Sequence, residues 1–213
     1  MNDLLQLAVA AHGGTRRWCD FFKLEAVLSV GGTLSEARAE PDLPQAVRLV
    51  ADLYQPRVVW SPQPQEAHTP LATDAAWGPA HTAWFSGDAA WSYLIQPFLY
   101  TYPGFSCTEL EPWEENGEQW RRLKIAFPEH LASHGSEQVA YFGREGLLRR
   151  HDYQLGAGGG QAGVACASYA SDYCDADGIR VPTRRRIYAR DDAGQRRAQA
   201  PLLAIDVEQI AFA

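Results

Sequence analysis

The chain has 213 residues, of which 46% are hydrophobic and 21% charged, and a formal net charge of −7. This is the composition of a globular protein with enough chain to bury a core without disulfides or metal. The acidic balance excludes nucleic acid as the main partner, since such a binder presents a cationic surface. No apolar run is long enough for a transmembrane helix.

Residues 3–12 carry Leu4, Leu7, Ala8 and Ala11 at helical spacing. Gln6 interrupts the apolar stretch and no basic segment precedes it, so it reads as an amphipathic helix rather than a leader. A cytoplasmic location is the resulting expectation. Gly13-Gly14 stops this helix, and Thr15 is placed to cap a second short one holding Trp18, Phe21 and Phe22. Residues 24–31 read as a strand and 32–44 as a connecting loop. In 46–54, Val47, Leu49, Ala51 and Leu53 alternate with polar residues, the pattern of a half-buried strand. A short strand at 57–61, a proline-containing loop over 61–76 and a strand at 81–86 follow. Residues 88–100 read as a helix with Asp88 as cap and Pro97 as kink. Its stripe is Trp91, Leu94, Ile95, Phe98 and, one turn on, Tyr102.

From residue 106 the pattern becomes a β meander. Strands at 106–111 and 118–127 flank a turn holding Asn116-Gly117, the strongest short hairpin signal. Strands at 137–143 and 147–153 flank Arg144-Glu145-Gly146, and strands at 163–173 and 179–188 flank Cys174 to Gly178. Residues 202–212 give a last strand. Loops this short join antiparallel strands only, and a sheet of roughly ten strands curls around whatever it covers. No linker divides the chain, so 1–213 reads as a single domain. The fold class is α+β, mostly β: a strongly curved antiparallel sheet, an unclosed β-barrel, with the N-terminal helix and the mid-chain helix covering the concave face.

Three sequence features carry a resemblance. The first helix ends in Ala-His-Gly-Gly with Trp18 following, and the hairpin Tyr-Phe-x-x-x-Gly-Leu-Leu-Arg-Arg-His-Asp-Tyr occupies 141–153. Ser-Asp-Tyr then leads through Asp-Gly-Ile-Arg-Val-Pro-Thr to Arg-Arg-Arg-Ile-Tyr over 171–188. In this order they resemble the lipoprotein carriers of the LolA/LolB type, whose unclosed antiparallel barrel holds an acyl chain under helices. The resemblance implies that fold and a hydrophobic cavity. The leader or lipobox of the periplasmic carriers is not seen, so lipoprotein trafficking is not carried over.

The chain contains seven tryptophans, nine tyrosines and eight phenylalanines, and nine of these aromatics fall within residues 77–105. Aromatics this dense on a helix broken by Gly and Pro suit either a cover over an apolar ligand or a cap on the core. The candidate ligand-lining residues are Trp84, Trp91, Tyr93, Phe98, Tyr100 and Tyr102. Within Arg184-Arg185-Arg186, the middle residue faces opposite to its neighbours. An inward Arg185 would need a carboxylate or an anionic head group, and Arg149-Arg150 poses the same choice. Arg149 and Arg185 are therefore the candidate head-group contacts, with outer-face pairing to surface acids the alternative.

Other constellations are weaker. On a helix His130 and His134 would share a face and could bind a metal with Glu129, but no H-E-x-x-H pattern is present and Pro128 and Gly135 suggest a loop; the four cysteines form no C-x-x-C pair, so they read as free thiols and no metal site is expected. Asp175 to Gly178 reads as a turn, because a calcium loop would need a glutamate where Arg184 stands. Gly156 to Gly160 lacks the Lys-Ser/Thr of a phosphate loop, and no cofactor is implied. The leading functional expectation is binding of a hydrophobic small molecule or lipid. An enzyme using His151, Asp172 or Tyr141 as acid or base, and a protein-interaction module with a filled core, are the alternatives.

Overall fold

The computed structural model describes residues 2–33, 46–61, 91–129, 131, 136–155 and 163–213. The expected strand at 81–86, Trp84, the Asp88 cap, His130, His134 and the 156–160 loop tip lie outside the described residues.

Helix α1 (Asp3–Ala11) starts because the Asn2 side chain accepts hydrogen bonds from the Leu4 and Leu5 amides, at 2.8 and 3.2 Å. Asp3 adds a negative charge at the positive end of the helix. Its buried stripe is Leu4, Leu5, Ala8 and Val9. Helix α2 (Gly14–Trp18) is shorter than the sequence suggests. Gly13 takes the cap position with φ 120°, Thr15 lies inside the helix, and Phe21 and Phe22 follow it.

Among the described residues ten strands form one antiparallel sheet: β1 (Lys23–Gly31), β2 (Val47–Asp52), β3 (Val58–Ser61), β4 (Ser106–Glu115), β5 (Glu118–Ala126), β6 (Glu137–Phe142), β7 (Leu148–Leu155), β8 (Val164–Ala176), β9 (Ile179–Ala189) and β10 (Leu203–Phe212). Their order is β3-β2-β1-β10-β9-β8-β7-β6-β5-β4, so the sheet is unclosed and has β3 and β4 as its edges. The β4–β5 and β8–β9 hairpins each turn on two residues with positive φ: Asn116 and Gly117 in one, Asp177 and Gly178 in the other. These are the residue types that a tight hairpin turn of this hand requires. Register shifts in β1, β4 and at the β6–β7 pairing bend the sheet.

The inner face of the sheet carries Leu24, Ala26, Leu49, Ala51, Leu123, Ile125, Ala140 and Phe142, all buried in one core with α1 and Trp18. The mid-chain segment covers this face as expected, but as two short pieces. Residues 91–94 are helical, Gln96-Pro97 is a cis peptide, and Phe98–Thr101 forms a single 3-10 turn. Trp18 stacks on Phe98 with ring centroids 4.1 Å apart. None of the described helices is long and apolar enough to cross a membrane.

Candidate functional site

The concave face is apolar at both ends and polar in the middle. In β7, β8 and β9, the cross-strand pairs His151–Ser168, Ser168–Ile187 and Ala170–Arg185 set the inner row. Strand alternation sends Arg184 and Arg186 outward, where both meet Asp206, and turns Arg185 inward to 4% exposure. Arg185 Nη2 donates to the Tyr93 carbonyl at 2.7 Å and to Gln96 Oε1 at 3.2 Å. Its guanidinium carbon lies 5.0 Å from the Tyr93 ring centroid. Nη1 has no hydrogen-bond partner among the described residues, and no carboxylate among them pairs with this arginine. Burial pushes its pKa down, against the influence of Tyr173, Tyr93, Tyr100 and Tyr153.

Around this cation sit phenols held neutral. Burial raises Tyr93, Tyr100 and Tyr153 well above the usual phenol range, more strongly than the Arg185 charge lowers them. The Tyr93 hydroxyl donates to that of Tyr153. The Tyr100 hydroxyl and Ser168 Oγ are buried with no hydrogen-bond partner among the described residues. Gln96 Nε2 and His151 Nδ1 are 3.3 Å apart, and His151 packs against the Tyr93 and Tyr153 rings.

Five of the six candidate aromatics are therefore described and lie on the concave side: Trp91, Tyr93, Phe98 and Tyr100 are buried, and Tyr102 is half-buried. Trp91 Nε1 donates to the Asp52 carbonyl at 2.7 Å, and Tyr102 Oη to the Leu53 carbonyl at 2.7 Å. Arg149 is placed elsewhere. It is the residue skipped in the β6–β7 register, where Tyr141 pairs with Arg150 and Phe142 with Leu148. It lies at the hairpin end with Nη2 2.6 Å from Glu145 Oε1.

The groups named for acid–base chemistry are not brought together. His151 faces inward, whereas Tyr141 is on the outer face and donates to Asp152 Oδ2 at 2.9 Å. Asp172 is half-exposed and pairs with Arg184 at 2.5 Å. Cys166 is a buried free thiol that burial pushes up to about 12, which leaves it a poor nucleophile near neutral pH. Among the described residues no group of three or more metal-ligating side chains is placed to hold an ion.

The outer face holds a second buried polar cluster that the sequence reading missed. Arg122, Tyr141, Arg150, Tyr169 and Arg186 stand in one cross-strand row over β5 to β9. Arg150 is fully buried and binds Asp152, Glu115 at 2.8 Å and the Gly194 carbonyl at 2.5 Å. Burial alone would raise Glu115, but hydrogen bonds from Tyr169, Trp113 and Arg150 together hold it below the usual carboxylate range. The available signal was the Arg-x-Asp alternation at 150 and 152, which puts both side chains on one face.

No protein-family model matches the chain, and no curated protein matches it significantly. Solved structures do. A LolA superfamily protein from Nitrosomonas europaea superposes with a TM-score of 0.54 at 10% identity, covering 97% of this chain and 90% of that one. A DUF1329 family protein from Desulfovibrio piger superposes with a TM-score of 0.46 at 12% identity, covering 98% and 91%. The first of these superpositions gives the chain a LolA-like fold, as the hairpin motifs implied.

Proposed function

We propose that the protein binds a hydrophobic ligand, a lipid or similar apolar molecule, between the concave face of the sheet and the segment 91–102. The observation that carries this reading is how that segment is attached. Among the described residues its backbone-to-backbone hydrogen bonds are local: Ile95 to Trp91, Leu99 to Ile95, Tyr100 to Pro97 and Tyr102 to Leu99. Among the described residues it meets the sheet through bonds that each involve a side chain: Trp91 to Asp52, Tyr102 to Leu53, Tyr93 to Tyr153, Gln96 to His151, Cys107 to the Tyr100 carbonyl, and Arg185 to Tyr93 and Gln96. A cover held by rings and a few side-chain bonds lifts without breaking a strand ladder, and the rings then present apolar area to a guest. The LolA-like fold supports the same reading. The test is native mass spectrometry of freshly purified protein, followed by denaturing extraction. A co-purifying apolar species at near-unit occupancy is the expected result. A bare mass together with no thermal shift across a panel of fatty acids and alcohols would overturn the reading.

A further inference from the structure

We propose that the middle of the concave face is an acid-head site, in which Arg185 anchors the carboxylate of a single-chain amphiphile such as a fatty acid. This inference rests on the hydrophobic-ligand reading and adds to it the class of head group. The two buried arginines of the sheet make the argument. Arg150, on the outer face, is neutralised by Asp152 and Glu115. Arg185, on the inner face, is also buried, at 4% exposure, and has no carboxylate partner among the described residues. A buried guanidinium is costly unless an anion compensates it. The tyrosines around it do not, since burial keeps Tyr93, Tyr100 and Tyr153 protonated.

The donors fit a carboxylate. Nη2 is engaged with Tyr93 and Gln96, but Nη1 has no hydrogen-bond partner among the described residues. The Tyr100 hydroxyl, within electrostatic reach of Arg185, also has no partner among the described residues, and neither does Ser168 Oγ, two residues along β8 from Ala170, the cross-strand partner of Arg185. Two oxygens of one carboxylate use such donors, and its single charge matches the single guanidinium. A phosphate monoester, with close to two charges, would leave one unbalanced. In the same inner row as His151, two strands away, stands Leu123, which shares the apolar core with Ile125, Phe142 and Leu99, a surface suited to the chain of the amphiphile.

The experiment is isothermal titration calorimetry at pH 7.5 with dodecanoate, dodecanol and dodecyl phosphate, on the unmodified protein and on Arg185→Met. The expected result is dodecanoate binding at least tenfold tighter than dodecanol, with that preference abolished in Arg185→Met while dodecanol binding persists. Equal affinity for acid and alcohol in the unmodified protein overturns the anchor and leaves hydrophobic binding standing. Tighter binding of dodecyl phosphate than of dodecanoate overturns the carboxylate assignment. Failure of all three probes to bind overturns the underlying reading and this one with it. The acid-to-alcohol ratio of the unmodified protein decides the matter even where Arg185→Met does not fold.

Discussion

Arg150 and Asp152, two residues apart on β7, grip each other on the outer face of the sheet, with Nε–Oδ1 at 2.7 Å and Nη2–Oδ2 at 2.8 Å. The pair is buried, so its value lies in not being broken. Asp152→Asn strips a charge from a guanidinium that cannot reach water, and it weakens the partner of Tyr141 as well. The expected loss is about 3–5 kcal/mol in urea denaturation. Glu115→Gln, at the rim of the same cluster, should cost less, because Asp152 stays in place.

Gly13 presses against the β8–β9 hairpin. A Cβ there would lie 2.3 Å from the Gly178 carbonyl oxygen, at a backbone φ of 120°. Gly13→Ala should cost at least about 2 kcal/mol, from strain and overlap together. Gly14→Ala, at φ 80° with nothing within 4 Å of its Cβ, should cost about 1 kcal/mol from the left-handed backbone alone. The gap between the two denaturation midpoints measures the contact.

His12 gives the protein a pH dependence of calculable sign. Burial lowers its pKa to about 4, aided by the Arg180 and Arg185 charges, although the hydrogen bond to the Ala8 carbonyl opposes this. The unfolded chain takes up a proton near pH 6.5 and the folded one only near 4, so protonation favours unfolding between those values. Stability from this group is full above pH 6.5 and falls as the pH drops toward 4, by up to about 3 kcal/mol. The check is twofold: an imidazole that stays neutral by NMR to near pH 4, and a stability loss over that window that is absent in His12→Gln.

Tyr102 ties the far end of the cover to the Leu53 carbonyl and accepts from Trp18 Nε1 at 3.1 Å. Tyr102→Phe removes both bonds while keeping the ring, at a cost of about 1–2 kcal/mol. If the cover must lift for ligand exchange, the dodecanoate dissociation rate measured by stopped flow rises severalfold. A lower melting temperature with an unchanged rate would mark Tyr102 as ordinary core.

How much of this was legible depended on the range of the signal. Asn116-Gly117 and Asp177-Gly178 announce their hairpins because few residues tolerate positive φ; the first turn is where the sequence put it, and the second is narrower than the expected Cys174 to Gly178, since β8 runs on through Ala176. The opposition of Arg185 to Arg184 and Arg186 followed from strand alternation, but which side is inner is a matter of register with β8 and β10, which no local pattern fixes. Arg149 escaped the alternation rule because it is skipped at a bulge. The Arg150 cluster drew on Glu115, Tyr169 and Gly194, distant in the chain, and only the assembled sheet brings them together. Helix α2 ends at Trp18, whose ring stacks on Phe98 and meets Phe212 edge-on, contacts that no local pattern announces.

Strand β10 lies between β1 and β9, and Leu24 is paired with Phe212, almost the whole chain apart. The first three strands and the meander from β4 to β9 can each form from neighbouring segments, and among the described strands they join only through β10. The largest loop in the molecule therefore closes as the sheet is completed, which makes assembly slow relative to the local hairpins. Until then the inner faces of two partial sheets stand open to water, so the concave surface that would receive a ligand is also the surface most exposed to mispairing on the way to the native state.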